Sequence, residues 1–413
     1  MPGMSRSWVA GAALLVACGS EHGDATATVT DSAGVTIVSN SGGGGWPHGR
    51  APRLAEDLSI GTLEGPEEYT FANLAAVAVG AGETIYALDR GDKRVKVYDP
   101  GGRYLRAFGG EGGGPGEFQE PDLLTFVAGQ LVIYDWRARR LTYFGLDGTV
   151  QRTARLQSRS VFAEGLAPLG DSTLMLSTEA GYSMPPDPER EGKFWLVRMA
   201  LDGTILDTVI ATTGTDQVPY RTEQFLTVIR APFARGPRWD VAPDGRIAFG
   251  RGDSYDIALY EYPASARESG APAPARLALR IRRATPPLPV TDADISAYRD
   301  GYLGAENLSA EDRRRYEAML ETVTYPETWP AFQALRFDRA GRLWARRPAH
   351  TGDTLAAWDL FEPGGRYLGA VELPTALTVQ VVTLDAVYGI LRDQLDVQYV
   401  KRYRIEGLMS PTP

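Results

Sequence analysis

Apolar and polar residues alternate along most of the chain in runs of five or six, the period of a half-buried β-strand. ETIYALDRGDKRVKVYDPGGRYLRAFG, starting at Glu83, and QLVIYDWRARRLTYFGLDGTVQRTARL, running up to Leu156, show it most clearly. Asp-Gly or Gly-Gly pairs separate the runs, where a tight hairpin needs positive φ. Leu58–Val79 and Leu105–Val127 each hold a Gly-Pro-x-Glu-aromatic loop followed by an apolar strand. Pro66 and Pro115 of those loops are 49 residues apart, and Tyr86 and Tyr134 of the following strands are 48 apart. The pattern returns less regularly four more times, from Leu174, Trp239, Leu335 and Thr378 onward. A repeated four-stranded unit of about 40–50 residues predicts the blades of a β-propeller, six of them here.

The sixth unit supplies only three strands. Arg53–Ile60 is expected to provide the fourth, so that both ends of the chain pair and no sheet edge is left open. The extra strand GVTIVSN, Gly34–Asn40, is expected to join that same blade or pack beside it. The predicted fold is therefore all-β: a six-bladed propeller of four-stranded blades over residues 34–413, closed by an N-terminal strand. One segment departs from the strand pattern. In Thr291–Val323, Ser309 precedes Glu311 and Asp312 as an N-cap with an acidic first turn, and Tyr316, Met319, Leu320 and Val323 fall at helical spacing. Two short helices are predicted there, as an insertion at 291–323 between blades four and five. A second long connection, Ala211–Arg238, lies between blades three and four.

Composition narrows the function. Apolar residues make up 43% of the 413 and charged residues 23%, enough to bury a core. A formal charge of −9 argues against a general nucleic-acid binder, which would carry a basic surface. The one cysteine excludes intramolecular disulfides.

That cysteine has a telling place. Arg6 is followed by the uncharged run Trp8–Ala17, about half the length needed to span a bilayer and of a size with a secretory h-region. The run ends Leu15-Val16-Ala17-Cys18, which resembles a bacterial lipobox. The resemblance implies a signal peptide over residues 1–17 and lipidation of Cys18, whose acyl chains would anchor the protein. Residues 18–33, small and polar, read as a flexible tether. Gly19 in place of aspartate disfavours inner-membrane retention under enterobacterial sorting rules. The expected location is thus the cell envelope, at the outer membrane, facing the periplasm or the exterior.

Tyr86–Pro121, YALDRGDKRVKVYDPGGRYLRAFGGEGGGPGEFQEP, resembles an NHL-type repeat. The chain is similar to bacterial six-bladed propeller lipoproteins of the NHL-like group, closely over Asp57–Leu156 and more loosely beyond. The resemblance implies six blades and a binding or scaffold role, and it implies that sites lie on the face shared by the second-to-third-strand loops and the interblade connections. Those loops carry Arg90, Arg137, Arg251, Arg346 and Arg392 in five of the six units. A ring of guanidinium groups would suit a carboxylate, phosphate or sulfate. The alternative is that each arginine pairs with the aspartate beside it: Asp89, Asp135, Asp253 or Asp393. The Glu68-Tyr69 and Glu117-Phe118 loops read as structural wedges between blades.

Three histidines, His22, His48 and His350, offer little for zinc. No catalytic residue, metal ligand or cofactor is assigned, and calcium, held by Asp, Glu or Asn as in propeller lactonases, stays open. The leading expectation is a lipid-anchored binding module for an anionic small molecule or an envelope protein. The alternatives are a channel-mouth hydrolase or lyase, calcium-dependent in one form, and a structural envelope scaffold.

Overall fold

The structure, a computed structural model, describes residues 27–408 apart from 47–48, 157–161, 182–184, 222–225, 270, 272 and 305–307. The signal peptide, Cys18, His22 and His48 lie outside the described residues.

Six sheets, antiparallel apart from one added strand, form six blades. Blade one spans Leu74–Gly109, blade two Pro121–Arg155, blade three Phe162–Thr213 and blade four Arg238–Arg283. Blade five spans Ala334–Pro374, and blade six pairs Leu377–Glu406 with Arg53–Ile60. The first strand of each blade touches the first strand of the next, so these six strands ring the central channel. Their starts (Leu74, Pro121, Phe162, Arg238, Ala334, Leu377) and the ends of the second strands share one mouth. Their ends (Val79, Val127, Leu169, Val241, Phe337, Val382) form the other.

Apolar side chains of facing sheets fill the space between neighbouring blades. One cluster joins Val95 and Leu88 of blade one to Leu131 and Phe144 of blade two, with Phe118 fully buried between them. Phe118 is thus a wedge, its ring 5.9 Å from that of Phe144. Glu117 accepts the Gly114 N–H at 2.7 Å. In the matching loop Tyr69 lies 6.0 Å from Tyr98, and it is the carbonyl of Glu68 that accepts, from the Tyr98 hydroxyl at 2.5 Å.

Closure follows the expected route. Arg53–Ile60 pairs antiparallel with Gln398–Glu406, with Val400 opposite Ile60 and Glu406 opposite Arg53. Charge reinforces the seam: Arg402 binds Asp57 with both Nε and Nη2, at 2.8 and 2.9 Å, and Arg404 reaches Asp57 and Glu83. These arginines hold both carboxyls below the usual range. Burial works against the charge on Asp57, but the two guanidinium groups outweigh it, and at Glu83 the Arg404 contact is itself the leading influence.

Two expectations about the N-terminal segment need correction. Val35–Asn40 joins blade four, not blade six, running parallel to its outer strand Arg276–Arg283 with Thr36 opposite Leu279. Asn40 explains the choice. It is 5% exposed, donates to the carbonyls of Arg282 and Gly365, and accepts the Tyr367 N–H at 2.9 Å, so it satisfies backbone groups at the seam of blades four and five. The expected tether also shortens: Ala27–Ser32 is a strand, paired antiparallel with Val35–Asn40 through a turn at Ala33-Gly34. Blade four thereby has six strands.

The insertion holds the two expected helices, α2 (Asp292–Leu303) and α3 (Ala310–Glu321); a further short helix, α1 (Ala264–Ser269), precedes the outer strand of blade four. Thr291 caps α2 in a capping box with Asp294, and Ser309 caps α3 by accepting the Asp312 N–H. In the connection between blades three and four, Gln217–Arg221 and Leu226–Arg230 form a two-stranded hairpin. Hairpin and helices pack through Ile229, Met319, Leu320 and Val323.

Candidate functional site

Hairpin and helices roof the channel mouth where the innermost strands start. Beneath them, between blades four and five, lies a cavity of about 850 Å³. Its cationic groups are Arg230 at the end of the hairpin, Arg238 at the start of blade four, and Arg346 at the end of the second strand of blade five. Among the described residues no carboxylate oxygen lies within 4 Å of any of the three guanidinium groups.

Local structure aims them. Arg238 Nε donates to the Gln333 carbonyl at 2.5 Å, and Gln333 N–H donates to the Arg346 carbonyl at 2.8 Å, so one residue ties both arginine positions together. Arg346 Nη2 holds the Thr375 carbonyl at 3.0 Å. Burial lowers the affinity of both for their protons. Arg238 is brought down to about 10, by burial and by the neighbouring charge of Arg230. Arg346 moves down through burial alone. Both remain cations at neutral pH, incompletely hydrated and without a counter-charge in contact.

Aromatic rings make the opposite wall. Phe233 and Trp329 lie 4.4 Å apart, Tyr298 is 6.3 Å from Phe233, and Tyr302 is 5.4 Å from Tyr298. The Tyr298 hydroxyl donates to the Arg230 carbonyl at 2.7 Å, fastening α2 to the hairpin.

Asp294 fastens the same helix to the propeller. It is 1% exposed and accepts from His350 Nδ1 at 2.9 Å, Thr351 N–H at 2.8 Å, Trp329 Nε1 at 3.3 Å and Thr291 N–H at 3.0 Å. Burial opposes its charge, but these donors prevail and hold the carboxyl well below the ordinary range. Asp294 is a joint, and its charge is spent within the protein.

Blade three contributes two carboxyls at the same mouth. Glu179, at the end of its second strand, is buried and accepts Thr215 N–H at 3.0 Å and Gln217 Nε2 at 3.1 Å. Burial pushes it up despite those bonds and the charges of Arg230 and Arg251. Glu164, near the start of the innermost strand, touches channel solvent but is surrounded by protein. Lost hydration, and then the charge of Glu179, raise it to about 7.

Of the five arginines expected to converge, only Arg346 lines the cavity. Arg90 binds Asp122 at 2.7 Å, on the innermost strand of blade two. Arg137 is exposed. Arg251 binds Asp253 at 3.1 Å and Asp216 at 3.3 Å, and Arg392 binds Asp396 at 2.7 Å. Pairing with the adjacent aspartate therefore holds only for Arg251. Asp89, Asp135 and Asp393 instead accept backbone N–H groups, as Asp135 does from Gln119 at 2.6 Å and Ala138 at 2.9 Å. Arg230, in the interblade connection, and Arg238, the first residue of blade four, were not among the expected residues because neither sits in a second-to-third-strand loop. The signal available was the long connection itself. Among the described residues no group of three or more His, Cys, Asp or Glu is placed to hold a metal ion.

The DUF5128 family model, described as a 6-bladed beta-propeller, matches residues 55–171. No curated protein matches the chain. Several solved structures are similar. A member of the DUF4221 family from Bacteroides vulgatus is 9% identical, with 86% of this chain and 99% of that one covered at a TM-score of 0.48. A calcium-binding protein, regucalcin, from Agrobacterium tumefaciens is 10% identical, with 84% and 95% covered at 0.44. Virginiamycin B lyase from Staphylococcus aureus is 9% identical, with 85% and 99% covered at 0.39.

Proposed function

We propose that this six-bladed propeller is a lipid-anchored protein of the cell envelope that binds a small aromatic anion beneath its helical roof, without transforming it. One observation carries the reading: Arg230, Arg238 and Arg346 reach one aromatic-walled cavity with no carboxylate in contact. A guanidinium already stripped of part of its water gains more from a carboxylate, phosphate or sulfonate than an exposed one does. The rings of Phe233, Trp329 and Tyr298 offer a planar ligand a stacking surface. The anchor rests on the sequence around Cys18.

Titration with benzenesulfonate, whose charge does not change with pH, tests the site. Arg238→Gln and Arg346→Gln are each expected to weaken binding by roughly 10- to 100-fold, the range for a hydrogen bond to a charged group. Unchanged affinity in both variants would overturn the reading. The anchor is tested by mass spectrometry of protein extracted from membranes, where a mature chain beginning at an acylated Cys18 is expected. A mature start elsewhere without acyl mass would refute it.

Glu164 favours a second reading, hydrolysis or lysis at the channel mouth. A carboxyl raised to about 7 can exchange protons near neutral pH. If the protein cleaves phenyl esters or opens lactones, and Glu164→Gln does not, catalysis replaces binding.

A further inference from the structure

We infer that the opposite mouth of the channel is a second binding site, for a compact organic anion with an apolar body. It is built by other residues than the roofed cavity and does not depend on that reading.

Where the innermost strands end, blades two to six surround a cavity of about 670 Å³. Blade five supplies two arginines to it, Arg336 at the end of its first strand and Arg339 in the following turn. Among the described residues neither has a carboxylate oxygen within 4 Å. Both are held in place by backbone carbonyls. Arg336 donates to Val379 at 3.2 Å with Nε and to Leu335 at 2.8 Å with Nη1. Arg339 crosses toward blade one and donates to Val79 at 2.7 Å. Each guanidinium has five N–H donors, so most remain for a ligand.

The acidic groups nearby are bound elsewhere or lie at the rim. Asp338 is fully occupied: it accepts from Arg342 Nε at 2.6 Å, Trp344 Nε1 at 3.2 Å and two backbone N–H groups. Asp240 accepts the Phe337 N–H at 2.6 Å; burial pushes its carboxyl upward, against the pull of the Arg336 charge. Asp171 is exposed at the rim. Phe126, Phe337 and Val381 provide the apolar lining. Arginines fixed beside apolar surface favour an anion that carries hydrocarbon over inorganic phosphate, which would leave that surface wet.

The full-length protein is to be titrated with benzenesulfonate and, separately, with inorganic phosphate. Two benzenesulfonate sites per chain are expected, with phosphate at least tenfold weaker at the lower one. Arg339→Gln should weaken one site at least tenfold and leave the other intact, while Arg238→Gln should do the reverse. Gln380→Trp, which fills the lower mouth but keeps both arginines, should also abolish the lower site, and it guards against a folding defect in the arginine variant. A single site that Arg238→Gln removes would overturn this inference and uphold the roofed cavity. A single site that Arg339→Gln and Gln380→Trp remove would do the opposite. No binding at either mouth would overturn both.

Discussion

Asp294, which lines the roofed cavity, shows how one residue can hold the walls of a site in place. Five donors from the cap of α2, from the segment after α3 and from blade five converge on one buried carboxylate. Asp294→Ala would leave those donors unsatisfied, at a cost of about 1–3 kcal/mol, and free Trp329 and α2 to shift. Lower thermal stability and altered Trp329 fluorescence are expected at neutral pH. The pH dependence has a definite sign. The carboxyl is held below its unfolded value, so its contribution is complete above an unfolded pKa of about 3.9. It fades as pH falls below that value toward the lower native one. Melts between about pH 7 and 3 should therefore bring the two proteins closer together. A constant gap across that range would show that Asp294 acts through packing alone.

At the scale of elements, the insertion and the closing strand are separable devices. The insertion leaves and rejoins the ring at one place: Pro289 bridges Thr328, Val290 N–H reaches the Glu327 carbonyl at 2.9 Å, and Trp329 N–H reaches that of Leu288 at 2.9 Å. Replacing residues 291–326 with a short Gly-Ser linker should leave a folded propeller without the upper binding site. Circular dichroism and benzenesulfonate titration check both halves, and an unfolded product would show that the roof is part of the core. The closing strand behaves in the opposite way. Removing residues through Gly61 strips blade six of its outer strand and blade four of two added strands. Open edges promote association. The truncated chain should melt less cooperatively and aggregate, and a melt matching the full chain would mean that closure contributes little.

Across the whole molecule, a chain of net charge −9 still places arginines in the cavities at both channel mouths. Field depends on arrangement more than on the total. Glu164 makes this field adjustable, since its carboxyl is raised to about 7 beside Arg230 and Arg238. Protonation removes a negative charge from the upper mouth. Benzenesulfonate should bind there more tightly as pH falls from about 8 to 6, and Glu164→Gln should bind as tightly at both. A wild-type affinity that stays flat over this range would place Glu164 too far away to matter. Binding at both mouths should weaken with added salt, less steeply where the arginines are better buried.

The alternation of apolar residues, the repeated Gly-Pro-x-Glu-aromatic loops and the missing fourth strand of the last unit were enough to determine six blades, their order and their closure through Arg53–Ile60. Strand period and turn chemistry are local properties, and a ring of like units leaves its ends one natural partner. The same locality made the helix cap at Ser309 legible, whereas the capping box at Thr291 emerged only in the structure. The tertiary structure decided the rest. Val35–Asn40 went to blade four because the donors and acceptors that Asn40 satisfies come from Arg282, Gly365 and Tyr367, more than 240 residues away. The arginines that recur in corresponding loops did not converge, because most found carboxylates on neighbouring strands and loops. Those that share a cavity, Arg230, Arg238 and Arg346, come from three unlike positions in the repeat. A repeating sequence reveals what is equivalent from blade to blade. A binding site forms where the blades differ, and only the packing of insertion, hairpin and ring brings those differences together.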